Sequence, residues 1–159
     1  IRRDVPDASP CLRDLEDYGN ELWTLIERTP KGFCHDDMHT GNTVYRGGVF
    51  TWMDFDRACF SHPILDVSWL TDGTDFNVFD EGALDPSLRL FEAIHAGYER
   101  ERHLSNEELA AIFPCLAMIH YDLTASIVLR TGERLLPAFL EEQHQWLMRW
   151  RELCRKKGL

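Results

Sequence analysis

The chain has 159 residues, a net charge of −10, and is 44% hydrophobic and 28% charged. That length suits one domain, 1–159, burying roughly 70% of its unfolded surface. The acidic balance argues against a nucleic-acid partner, whose phosphates require basic residues, and suits a cationic substrate. No apolar run of about 18 residues is present, so no membrane partner is expected. No signal peptide follows Ile1-Arg2-Arg3-Asp4, and the chain begins without methionine, which reads as a piece of a longer protein. Five scattered cysteines without C-x-x-C spacing argue against a zinc site or disulfide framework and for a reducing, cytoplasmic setting. Cys34 beside His35 invites a Cys-His nucleophile reading, but a small buried thiol explains it better.

Taken in order, residues 1–10 read as a linker broken by Pro6, Ser9 and Pro10. Leu12, Leu15, Leu22, Leu25 and Ile26 then predict a helix over Cys11 to Arg28. Phe33-Cys34 suits a short strand. Thr43 to Tyr45 and Val49 to Met53 flank Arg46-Gly47-Gly48, a hairpin signal. The segment after Asp56 reads as irregular, and Pro63 opens a helix to about Leu70. Thr71 to Asp85 reads as a mobile loop. A helix from Pro86 to about Arg102 carries Leu88, Phe91, Ile94, His95 and Tyr98 on one face. Ser105 and Glu108 form a capping box for a helix running toward Arg130, kinked at Pro114 and ended by Thr131-Gly132. The last helix, with Pro137 near its start, carries Phe139, Leu140, Gln143, Trp146, Leu147, Trp150 and Leu153 as a stripe. Arg155-Lys156-Lys157 suits its negative dipole end, and Gly158 follows as a stop.

The chemistry concentrates in GFCHDDMHTGNTVYRGGVFTWMDFDRACFSHPILD, from Gly32 to Asp66. A polar loop with His35, Asp37 and His39 runs through Asn42 into the hairpin, and the returning strand ends at Asp54. Asn42 and Asp54 therefore fall at the same end of the hairpin. An amide oxygen and carboxylates there suit a hard divalent cation, which prefers few protein oxygens plus water and phosphate. A remaining carboxylate beside it suits a base.

H-D-D-M-H-T-G-N, M-D-F-D and Pro63-Ile64-Leu65-Asp66-Val67 resemble, in order and spacing, the catalytic core of the aminoglycoside phosphotransferase and choline kinase family. That family reads H-G-D-x-x-x-x-N, then D-F-D or D-F-E, then P-x-x-D. The resemblance implies a mainly α fold with a small β-hairpin (α+β), the C-terminal lobe of the protein-kinase-like fold. It implies ATP as co-substrate, Mg²⁺ (or Mn²⁺) as cofactor, and a hydroxyl-bearing acceptor as partner. By it, Asp37 is the catalytic base, and Asn42 and Asp54 are metal ligands, with Asp56 reaching the metal through water or only holding Arg57 or the loop. His35 and Asp66 brace the loop, His39 faces the acceptor, and Val44 and Met53 form a floor under the nucleotide. Asp36 departs from the family glycine, at a place where glycine allows a backbone angle that aspartate tolerates poorly.

The family's nucleotide-covering loop, phosphate-binding lysine and glutamate partner have no counterpart before His35. An N-terminal lobe is thus expected in the parent protein, and this piece alone is expected to be inactive. Acceptors across the family include aminoglycosides, choline or ethanolamine, homoserine and, in a stress-response branch, protein serine or threonine. Two other classes compete. One is a pseudokinase-like binding module, suggested by Asp36 and an exposed-looking aromatic stripe on the last helix. The other is a zinc hydrolase built on His35, Asp37 and His39.

Overall fold

Apolar residues recurring at helical spacing pull most of this chain into helices, and the short β-rich runs between them carry the polar loop. The computed structural model describes residues 9–131 and 136–159. The described residues form α1 (Ser9–Ile26), β1 (Gly32–Cys34), β2 (Thr43–Arg46), β3 (Val49–Trp52) and β4 (Cys59–Ser61). There follow α2 (Ile64–Thr71), α3 (Leu84–Tyr98), α4 (Asn106–Ala111), α5 (Leu116–Thr131) and α6 (Leu136–Lys157). This is the mostly helical α+β arrangement, with two small antiparallel sheets. Among the described residues no helix is long and apolar enough to cross a membrane.

Tyr18, Leu22 and Ile26 of α1 meet Ile64 and Val67 of α2, Leu116 of α5 and Trp146, Leu147 and Trp150 of α6 in one buried cluster. Helix α1 stops earlier than Arg28 because Thr29 captures the Ile26 carbonyl twice. Its N–H donates at 2.9 Å and its hydroxyl at 2.8 Å. The α6 stripe is core: Trp150 is fully buried and Phe139 half-buried, so it is no exposed docking face.

Three other expectations are corrected. The segment after Asp56 contains β4, which pairs antiparallel with β1, Phe33 opposite Phe60 and Cys34 opposite Cys59. Pro114 breaks the long helix into α4 and α5 rather than kinking it. A proline lacks an N–H and crowds the preceding turn. The Ile112 carbonyl there accepts from the Ser68 hydroxyl, and the Phe113 carbonyl from the Trp150 indole, each at 3.0 Å. The helix expected from Pro86 is α3, which begins at Leu84 and ends at Tyr98. The capping box forms as expected, Ser105 accepting from the Glu108 N–H and Glu108 from the Ser105 N–H. The linker at 1–8 and the stop at Gly132 lie outside the described residues.

The stretch from Thr71 to Asp85 is pinned rather than loose. Gln143 donates to the Phe76 carbonyl and Trp146 to the Asp75 carbonyl. Asp72, Asp75 and Asp80 each accept from backbone N–H groups one or two residues further on than their neighbours. Thr74 gives its only proton to Asp72 at 2.7 Å, so the contact from His120 Nε2 at 3.2 Å must carry its hydrogen on His120. His120 Nδ1 is then a bare acceptor, buried and without a partner among the described residues. Its ring stacks on Trp146, with centroids 3.4 Å apart.

Burial holds the His120 imidazole down at about 3, below its ordinary 6.5, against a smaller upward pull from Asp75. The stability this neutral ring contributes is complete above pH 6.5 and is lost as pH falls toward 3. The slope approaches about 1.4 kcal/mol per pH unit. Urea unfolding from about pH 7 to about pH 4 should show a flatter profile in His120→Gln, which does not titrate in that window.

Candidate active site

The site is built where β1, the β2–β3 hairpin and the start of α2 converge. Strand β1 ends at Cys34 and hands the chain to His35, which is buried. Asp66, in the first turn of α2, receives the backbone N–H of His35 on Oδ2 at 2.7 Å. Its Oδ1 takes the N–H of Asp36 at 2.8 Å. Burial raises the Asp66 carboxyl above its ordinary range, and these two amide bonds oppose that shift. Burial, reinforced by Asp66, pushes the Cys34 thiol up to about 11, so it stays protonated at neutral pH and is no nucleophile.

His35 donates from Nε2 to the Met53 carbonyl at 2.8 Å, since a carbonyl only accepts. Its ring packs on Phe55 with centroids 4.4 Å apart. Met53 in turn donates its N–H to the Asn42 carbonyl at 2.9 Å. Both backbone groups of Met53 are thereby fixed, one by each side of the site. The hairpin is in the expected register, Thr43 opposite Trp52 and Arg46 opposite Val49. Gly47 and Gly48, with φ of 60° and 85°, supply the left-handed turn it needs.

Asn42 closes the polar loop. Its Nδ2 donates to the Asp37 carbonyl at 3.0 Å and to Asp37 Oδ2 at 2.9 Å. The Asn42 side-chain oxygen has no hydrogen-bond partner among the described residues. His39 accepts the Gly41 N–H on Nδ1 at 3.1 Å, which leaves Nε2 3.7 Å from Asp37 Oδ2. Trp69 lies beside the His39 ring at 6.1 Å.

Asp36 and Asp54 are the only described residues other than glycine with positive φ, each at 62°. Such angles cost an L-residue about 1–2 kcal/mol, least for Asp and Asn, and persist where surroundings impose them. Asp54 follows the fixed Met53, is exposed, and has no partner among the described residues. Asp56 is also exposed and does not hold Arg57. Arg57 binds Asp36 and Asp122 instead. Val44 and Thr51 share one face of the hairpin, and the alternation continues to Met53. Val44 and Met53 are both exposed.

The zinc reading does not assemble, because His35 Nε2 is engaged with Met53 while His39 faces Asp37. Among the described residues no three His, Cys, Asp or Glu side chains form a set that could hold a metal ion. The donor set does fit a cation that takes few protein ligands and keeps water and phosphate, as Mg²⁺ does. It offers one amide oxygen and one carboxylate, both without protein partners. Sequence reasoning missed Arg57 and Asp122. The available signal was a lone arginine directly after M-D-F-D, in an acidic stretch with Asp36 unbalanced.

A sequence model of the phosphotransferase enzyme family matches residues 2–104 of this chain. No match was found among curated proteins. Asp66→Asn replaces an acceptor oxygen with an amide that faces a backbone donor. It should cost about 1–3 kcal/mol in urea unfolding and speed amide exchange at His35 and Asp36.

Proposed function

The chain belongs to the phosphotransferase enzyme family, and from that premise we propose that it is the C-terminal lobe of a protein-kinase-like phosphotransferase that uses ATP to phosphorylate a hydroxyl. The single observation that carries this reading is the Asn42 amide held 2.9 Å from the Asp37 carboxylate, at the end of a hairpin that returns directly to Asp54. A base, an amide oxygen and a second carboxylate at one end of a rigid turn are what phosphoryl transfer asks of a protein, since its catalysis is mostly positioning and charge stabilisation.

In this reading Asp37 orients the acceptor hydroxyl and takes its proton as the acceptor oxygen bonds to the γ-phosphorus. The bond from that phosphorus to the bridging oxygen breaks, and ADP leaves. Asn42 and Asp54 would hold Mg²⁺, which supplies charge neutralisation at the phosphate oxygens when bound. Asp56, exposed beside them, would act through water. His39 stands beside Asp37 on the acceptor side. Val44 and Met53, exposed on one hairpin face, offer apolar surface to the nucleotide base.

The same reading expects an N-terminal lobe in the parent protein. Phe33 and Phe60 face each other across the β1–β4 pair at 68% and 76% exposure, and Phe55 is 48% exposed. Aromatic residues clustered like this at the edge of a site are a surface for another part of a protein to cover. A small-molecule acceptor bearing an amine, such as an aminoglycoside or amino alcohol, suits the net charge of −10.

The test is ATP consumption by the full-length natural protein against aminoglycosides, amino alcohols, homoserine and a generic protein substrate. Turnover is expected with one class of acceptor, and Asp37→Asn should lower kcat by about 10²–10⁴-fold while nucleotide still binds. A protein that binds no nucleotide would sink the reading. Turnover confined to the protein substrate would move the acceptor to serine or threonine side chains.

A further inference from the structure

Next to the proposed base sits a residue with every polar group held. Asp36 gives its N–H to Asp66 at 2.8 Å. Its carbonyl accepts from Arg57 Nε at 3.0 Å, and its carboxylate from a terminal nitrogen of Arg57 at 3.2 Å. The same terminal nitrogen lies 3.0 Å from the Asp122 carboxylate on α5. One planar guanidinium thus joins the loop carrying Asp37 to a helix in another part of the fold. We propose that Arg57 is a positioning residue that fixes the placement of Asp37 by clamping Asp36 to α5. This rests on the reading of Asp37 as the base.

The backbone shows why a clamp is needed. Asp36 sits at φ 62°, where an aspartate relaxes unless its surroundings impose the angle. A relaxation at position 36 turns the peptide that leads into Asp37. Arginine suits the task, because its fork can bond a carbonyl and two carboxylates together, which a lysine ammonium cannot do in fixed geometry. Charge acts in the same direction. Without Arg57, the carboxylates of Asp36 and Asp122 would face each other unbalanced, and their repulsion would push the loop from α5.

Magnitude separates this role from ordinary stabilisation. Arg57, Asp36 and Asp122 have side chains 41%, 31% and 42% exposed. Ion pairs this exposed contribute only about 0–1 kcal/mol to folding. The consequence of losing the clamp therefore belongs in the geometry of the site: a displacement of about 1 Å near a reacting centre costs up to about 100-fold in rate.

The experiment compares Arg57→Gln, Arg57→Lys and the double variant Arg57→Gln with Asp36→Gly, in the full-length natural protein. Arg57→Gln should lower kcat by about 10-fold or more, leave the KM for ATP within about twofold, and hardly move the unfolding midpoint. Amide exchange at His35 and Asp36 should quicken. Arg57→Lys should not restore kcat. Adding Asp36→Gly should restore most of it, because glycine holds the left-handed angle without a clamp and removes the repelling charge. Unchanged kcat and unchanged exchange in Arg57→Gln would overturn the proposal, as would a double variant no faster than the single one. Failure of the underlying reading is seen separately, as turnover that survives Asp37→Asn. Exchange at His35 and Asp36 then still decides whether Arg57 holds the loop.

Discussion

The candidate site hangs on one carboxylate that receives two adjacent amides. Asp66 opens α2, a helix whose apolar side is locked into the core through Ile64 and Val67. Its two oxygens take the N–H groups of His35 and Asp36. A loop bound in this way cannot rotate about a single hydrogen bond, so the orientation of the following residue, Asp37, is inherited from the helix packing. The desolvation that raises the Asp66 carboxyl is the cost of placing an acceptor at this depth, and the paired amide bonds offset it. His35 then extends the hold to the hairpin through the Met53 carbonyl.

The carboxylates around the site divide by what they touch. Asp66 is occupied by backbone amides, Asp36 by a guanidinium, and Asp37 by the amide of Asn42. Asp54 and Asp56 stand exposed without protein partners among the described residues. Structural carboxylates are thus buried or paired, while the ones with free oxygens lie at the mouth. An ion that brings its own water and phosphate oxygens would meet the second kind only. The acidic charge of the chain does not distinguish these roles, and only the partners of each side chain do.

What could be read in advance was local or linear. Gly47-Gly48 between β-rich runs fixes a hairpin because the turn chemistry is contained in the dipeptide itself. H-D-D-M-H-T-G-N and M-D-F-D are runs of neighbours, so their residues could be named from the chain alone. The β1–β4 pairing was hidden, because its three-residue strands place exposed phenylalanines where an alternating pattern would be sought. Pro114 marked a disturbance, but its extent depended on Ser68 and Trp150 reaching the freed carbonyls from distant elements. The aromatic stripe of α6 was visible as a stripe, yet which side it faced was a matter of tertiary packing. The Asp36–Arg57–Asp122 contacts join three separate stretches, so no single segment announces them.

Met53 is held by its main chain alone. Its N–H and C=O are both bonded, while its side chain is exposed on the hairpin face. Any residue able to adopt the same extended backbone would transmit the same constraint from His35 and Asn42 to Asp54. Position 53 is therefore open to substitution in a way that its neighbours are not. The protein can diversify the surface beside its catalytic residues at this place while the geometry of those residues stays unchanged, so drift in ligand preference and retention of chemistry need not compete.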